Sequence, residues 1–142
     1  MSGRILHLLS QRPSRTGSGV TLDSVVRLAG REGWRQHAVV GVPVSEAEPV
    51  LGELAPADIS PVYFAEGHEG DATADLPYPV IGMSDVMPYT SSVWSTMSAD
   101  QLATYREVWR AHLRRVIAGF APDLIHTNHI WLMSSLVKDL AP

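Results

Sequence analysis

The chain has 142 residues, 45% of them apolar and 18% charged, with a net charge of −4 and no cysteine. That length supports one domain with a real core, and the missing cysteines exclude a disulfide framework and thiolate metal centres. Between Arg35 and Arg106 there is no Lys or Arg, while ten carboxylates fall there, from Glu46 to Asp100; such a stretch repels a phosphate backbone, so nucleic acid is not an expected partner.

Ile5 to Leu9 form a short apolar run broken only by His7, and residues 4–10 read as a buried strand. The run is too short for a secretory h-region, and no window approaches the ~20 apolar residues of a membrane span. A cytoplasmic location is the default expectation. "QRPSRTGSG" (11–19) reads as a loop, with Pro13, two serines, Thr16 and two glycines in nine positions. Residues 20–31 follow as an amphipathic helix with Leu22, Val25, Val26 and Ala29 on one face. Gly30 and Gly33 bracket its end. "WRQHAVVGV" (34–42) is a second strand, so the opening spells strand–helix–strand and predicts parallel pairing in an α/β sheet.

Residues 43–99 hold seven of the ten prolines. Within them "SEAEPVLGEL" is compatible with a short helix, 60–65 with a third strand, and "EGHEGDATADLPYP" with a surface loop. "VIGMSDVMPYTSSVWSTMS" lacks clear periodicity; long irregular segments in compact domains tend to be functional or mobile. "SADQ" is a capping box, and the stripe Leu102, Tyr105, Trp109, Leu113, Val116 and Phe120 marks the strongest helix, roughly 99–118 with Gly119 as its stop. "PDLIHTN" (122–128) reads as a buried strand, and 129–141 as a last helix. The expected fold is α/β: a three-layer domain around a small parallel sheet. A helix after a strand normally returns the chain to another parallel strand, so the pattern reads as one piece of a longer protein. An unfinished sheet edge would then favour self-association.

Two features bear on chemistry. Backbone amides where the first helix starts, beside Gly17, Ser18 and Gly19, suit a phosphate or diphosphate, with Arg12 and Arg15 adding charge. The alternative is an ordinary strand-to-helix loop whose glycines only make a turn. Neither a Walker loop nor a dinucleotide fingerprint fits, because Gly19 is followed by Val20 and Thr21, and "GSGVTL" puts Leu22 where a third glycine belongs. In "HTNH", His126 and His129 are three apart and face opposite sides of a strand, so they do not ligate one metal there. His126 is expected to pack in the sheet. Asn128 and His129 fall at the carboxyl edge, where open α/β sheets bind ligands; a helix cap by Asn128 is the alternative. In "MPYTSSVWS", Tyr89, Thr90, Ser91, Ser92 and Trp94 offer hydroxyls and aromatic faces that suit a sugar, or else plug a hydrophobic gap.

The opening 38 residues from Arg4, the segment "PDLIHTNHIWLMSSLVKDL" and the loop and helix "MPYTSSVWSTMSADQLATYREVWRAHL" together resemble the amino-terminal half of GT-B glycosyltransferases, particularly the retaining family-4 group. The resemblance implies two Rossmann-like domains facing across a cleft. The amino-terminal one binds the acceptor, while a carboxy-terminal donor domain, absent from this chain, holds a nucleotide-sugar. It implies a donor-diphosphate role for Gly17, Ser18 and Gly19, acceptor contacts from Tyr89, Thr90, Ser91, Asn128 and His129, and His129 as the one catalytic candidate. The implied partners are a nucleotide-sugar and a sugar or lipid-linked acceptor, with no tightly bound cofactor or metal. Peripheral membrane contact of the longer enzyme is compatible with this. The chain alone is expected to be inactive in transfer. A non-catalytic Rossmann-like binding module is the competing reading.

Overall fold

The computed structural model describes residues 3–141. Its elements run β1 (Arg4–Leu9), α1 (Gly17–Arg31), β2 (Arg35–Pro43), β3 (Ile59–Phe64), α2 (Ala99–Phe120), β4 (Leu124–Thr127) and α3 (Leu132–Leu140), with single 3₁₀ turns at Pro56–Asp58 and Trp94–Thr96. The four strands form one sheet in the order β3-β2-β1-β4, and all three pairings are parallel. The α/β class and parallel sheet expected from the sequence are therefore present. Among the described residues, no helix is long and apolar enough to cross a membrane.

The period-two alternation of β1 sorts its side chains onto two faces. Leu9 joins Ala38, Val40, Val42 and Ile59 beneath Leu22 and Val26 of α1. Leu6 and Leu8 face the other way, where Val39, Val62 and Phe64 meet Tyr105, Trp109 and Leu113 of α2 and Leu132, Met133 and Leu136 of α3. Each Val, Leu, Ile, Met or Phe side chain among them removed from water stabilises the fold by roughly 1.5–3 kcal/mol. One helix lies on one face and two on the other.

Several expectations are corrected. The strand read as buried at 122–128 is the shorter β4, and as the edge strand beside β1 it has no buried residue, with Leu124 exposed. Helix α1 starts at Gly17, not Val20, because Thr16 caps it: the Thr16 hydroxyl accepts from the Gly19 amide at 3.1 Å. No helix forms in 45–54, where Pro49 interrupts the turn and Gly52 takes φ +57° under Val26. Helix α2 runs through Gly119 to Phe120 and ends on Ala121 in the left-handed region, φ 49°. The Ser98–Gln101 capping box is present as read. A Cβ is disfavoured at a left-handed C-terminal position, so Ala121→Gly is expected to raise stability by about 0.5–1 kcal/mol. A thermal melt shifted upward checks this; an unchanged or lowered midpoint contradicts it.

Candidate functional site

The chain places β1, β2 and β3 side by side in succession, then crosses back to set β4 on the other side of β1. The loops leaving β1 and β4 therefore diverge at the carboxyl rim, and such a crevice is where open α/β sheets hold ligands. Segment 10–16 leaves β1 there, and segment 128–131 leaves β4.

On the β1 side, Ser10 and Gln11 are 4% and 1% exposed, and the Gln11 amide nitrogen has no hydrogen-bond partner. Arg12 donates from Nε to Glu46 Oε2 at 2.8 Å, and its guanidinium lies 5.4 Å from the centre of the Tyr89 ring. The side chains of Arg12 and Glu46 are only 16% and 18% exposed. Burial pushes the Tyr89 phenol up to about 12 against the opposing pull of Arg12, so it stays protonated, and its hydroxyl is buried without a partner. Arg12 and Thr90 line a cavity of about 40 Å³ together with Glu66 and Val80. That volume holds a water or a single substituent, so anything larger lies over its mouth. The Glu66 carboxylate accepts from the Ser45 hydroxyl at 2.9 Å.

On the β4 side, Asn128 is tied back to β1: its backbone and side-chain nitrogens both donate to the Leu8 carbonyl, at 3.1 and 3.0 Å. It does not cap α3, whose first turn is held by the Ser134 hydroxyl against the Trp131 backbone. His129 Nδ1 is buried and unpartnered, and desolvation holds its pKa below the ordinary value. A neutral imidazole there offers a donor or an acceptor to a hydroxyl.

Sequence reasoning named Tyr89, Thr90, Asn128 and His129, and all lie on segments that build this rim. Ser91 is different: a Cβ on Gly82 would come 3.1 Å from its hydroxyl, which places it under the 82–87 turn. Ser92 is structural, its hydroxyl donating to the Pro79 carbonyl at 2.7 Å. Trp94 meets Trp131 edge to face, ring centres 5.2 Å apart. Gly17 and Ser18 form the first turn of α1, with Gly17 exposed and no atom within 4 Å of where its Cβ would stand. Gly19 is buried and its amide is already used by Thr16. Only the first two of these three residues thus present unengaged backbone amides at the helix start, the Gly17 carbonyl accepting from the Thr21 hydroxyl. Gln11 and Glu46 were not foreseen as site residues, since nothing in their neighbours announces burial or a pairing 34 residues apart.

Arg12→Ala removes a largely buried ion pair and a cation–π contact, and it strands Glu46. A loss of about 2 kcal/mol is expected, with the Arg12→Ala/Glu46→Gln pair losing clearly less than the sum of the singles. Denaturant midpoints for the four proteins of that cycle decide it, and additive losses contradict the pairing.

Of the wider hollows, one of about 390 Å³ lies on the β4 side of the rim, lined by Thr127, Ile130 and Trp131, and one of about 320 Å³ lies beside His37 and Phe120 at the amino end of the sheet. Comparison of the chain with protein-family models, curated proteins and solved structures gave no match.

Proposed function

We propose that this chain is the acceptor-side domain of a glycosyltransferase that moves a sugar from a nucleotide-sugar to a hydroxyl acceptor. The observation that carries the proposal is that three of the five buried side-chain polar atoms without partners among the described residues, Gln11 Nε2, Tyr89 OH and His129 Nδ1, lie on segments that reach the carboxyl rim, while the other two, Tyr105 OH and Trp109 Nε1, lie in the core under α2. Leaving such groups unpaired costs about 1–3 kcal/mol each, and a ligand's hydroxyls relieve that. A Gln amide, a phenol and an imidazole make a neutral donor–acceptor set of the kind that orients a polyhydroxylated molecule. Arg12 adds one positive charge, balanced by Glu46.

In this reading the acceptor lies across the rim with a hydroxyl directed at His129, which is kept neutral by desolvation and so can accept a proton. The exposed first turn at Gly17 and Ser18 meets the donor diphosphate with its amides and positive dipole end. The nucleotide-sugar itself is held by the partner domain, so this chain binds an acceptor weakly and transfers nothing alone.

Calorimetric titration with a panel of alkyl glycosides tests the reading. At least one glycoside is expected to bind, with affinity falling tenfold or more in His129→Ala. Absence of heat across the panel at millimolar ligand overturns it.

A further inference from the structure

Below the rim, the α1-side face of the sheet carries a chain of side chains that nothing above uses. His7 on β1 is fully buried, and its register partner on β4 is His126. His7 Nδ1 stands 3.2 Å from His126 Nδ1, and His7 Nε2 stands 2.9 Å from Gln36 Oε1 on β2. Gln36 in turn donates from Nε2 to the Val26 carbonyl of α1 at 3.0 Å.

That last bond sets every proton in the chain. A carbonyl only accepts, so the Gln36 nitrogen points to Val26 and its oxygen to His7. The oxygen only accepts, so His7 carries its hydrogen on Nε2 and leaves Nδ1 bare. For the 3.2 Å contact to be a hydrogen bond, His126 must then carry its hydrogen on Nδ1, leaving its own Nε2 bare. With those hydrogens placed, the positions free to take a proton are His126 Nε2 and His7 Nδ1, and one added proton leaves the chain intact. A second fills the remaining position, so that an N–H of each cation faces the other inside the fold.

Among the described residues, β4 is otherwise held by its four-residue ladder to β1 and by Ile125, which packs against the core under α2 and α3. The strand has no buried residue and pairs only with β1. The Arg4–Asp123 pair at its amino end is exposed, and the Asn128 bonds to Leu8 close its carboxyl end. We propose that the Gln36–His7–His126 chain is a two-proton latch: it holds β4, and with it Asn128 and His129, against β1 while the pair carries one proton or none, and releases the strand when both rings are charged.

The groups facing the pair are few. From β2 there is Gln36, from α1 the Val26 carbonyl, and from β4 His126 itself. The charged residues of α1 that point toward the body, Asp23 and Arg27, are bonded to each other and to the 52–53 turn. Desolvation and the charge of His126 both lower the His7 pKa, to about 4, against the raising effect of Gln36. The latch stands apart from the sugar-transfer reading, since it concerns the strand and not its ligand.

Imidazole ¹⁵N NMR and amide hydrogen exchange on the whole chain test it. At pH 7 His7 is expected as the Nε2–H tautomer and His126 as the Nδ1–H tautomer. On acidification to pH 4, protection of the β4 amides, corrected for intrinsic exchange, is expected to fall at least tenfold relative to the β2 amides. In His126→Phe, which cannot place two charges there, this relative fall is expected to shrink severalfold. A His126 ring found as Nε2–H at pH 7, or β4 protection that falls only in step with β2, overturns the latch; the first result needs no variant.

Discussion

Replacing Gly19 with alanine is expected to destabilise the fold by about 3 kcal/mol or more, while the same change at Gly17, two residues away, is expected to be neutral or slightly stabilising. A Cβ built on Gly19 falls on the Pro13 carbonyl oxygen and lies 2.5 Å from its carbon. The obstacle is backbone, so no side-chain rotation relieves it. Either α1 lifts off Leu9 and Val40, or the segment from Ser10 to Thr16 moves and takes Gln11 and Arg12 with it. Gly17 meets nothing within 4 Å, and alanine there merely restrains the unfolded chain. Chemical denaturation of the two variants beside the parent decides the matter. Equal effects at both positions would mean that the 10–16 segment does not pack on α1 as described.

The second large effect is on stability against pH. His7 titrates near 6.5 when unfolded and at about 4 in the fold, chiefly because burial disfavours its charged form. The unfolded chain therefore takes up this proton first as pH falls. The full contribution of neutral His7 is present above pH 6.5, is lost progressively between 6.5 and 4, and changes no further below that. The difference amounts to at most about 3 kcal/mol. Desolvation lowers His37 and His112 in the same direction, so they add to the slope. Asp23, Asp71 and Asp123, held below the usual carboxylate value by hydrogen bonds, act only at lower pH and are exposed enough to matter little. Unfolding free energies at pH 7 and pH 4 are expected to differ by clearly less in His7→Leu than in the parent. An unchanged difference would assign the acid sensitivity to other groups.

What the sequence made legible follows the reach of each signal. The strand–helix–strand opening was readable because the apolar run of β1 and the 3.6-residue period of α1 are local patterns. Helix α2 was readable from a capping box and a stripe of large side chains, both contained in one element. The start of α1 was misplaced because two glycines depress helix propensity, while its actual cap, Thr16, stands among Ser14, Ser18 and Thr21, any of which has a capping hydroxyl. The middle of the chain was opaque for a physical reason. Segments 74–76 and 79–92 are held by single bridges, Phe64 to Leu76 and Ile81 to Ser92, which leave no periodicity. At the rim, Tyr89 and Thr90 could be named from residue type, and Asn128 and His129 from their position after a strand. Gln11, the Arg12–Glu46 pair and the His7–His126 contact could not, because each depends on which strands become neighbours. That order is settled by the crossover between β3 and β4, with a long loop and a helix between them.

The rim assignment is tested most directly by an amide and side-chain chemical-shift map of the chain titrated with an alkyl glycoside that binds it. Acceptor binding at the crossing point predicts that the largest shifts fall on Gln11, Tyr89 and His129, with Arg12 and Asn128 beside them and α2's outer face silent. Shifts centred instead on the hollow beside His37 and Phe120, with Gln11 and His129 unmoved, would contradict it.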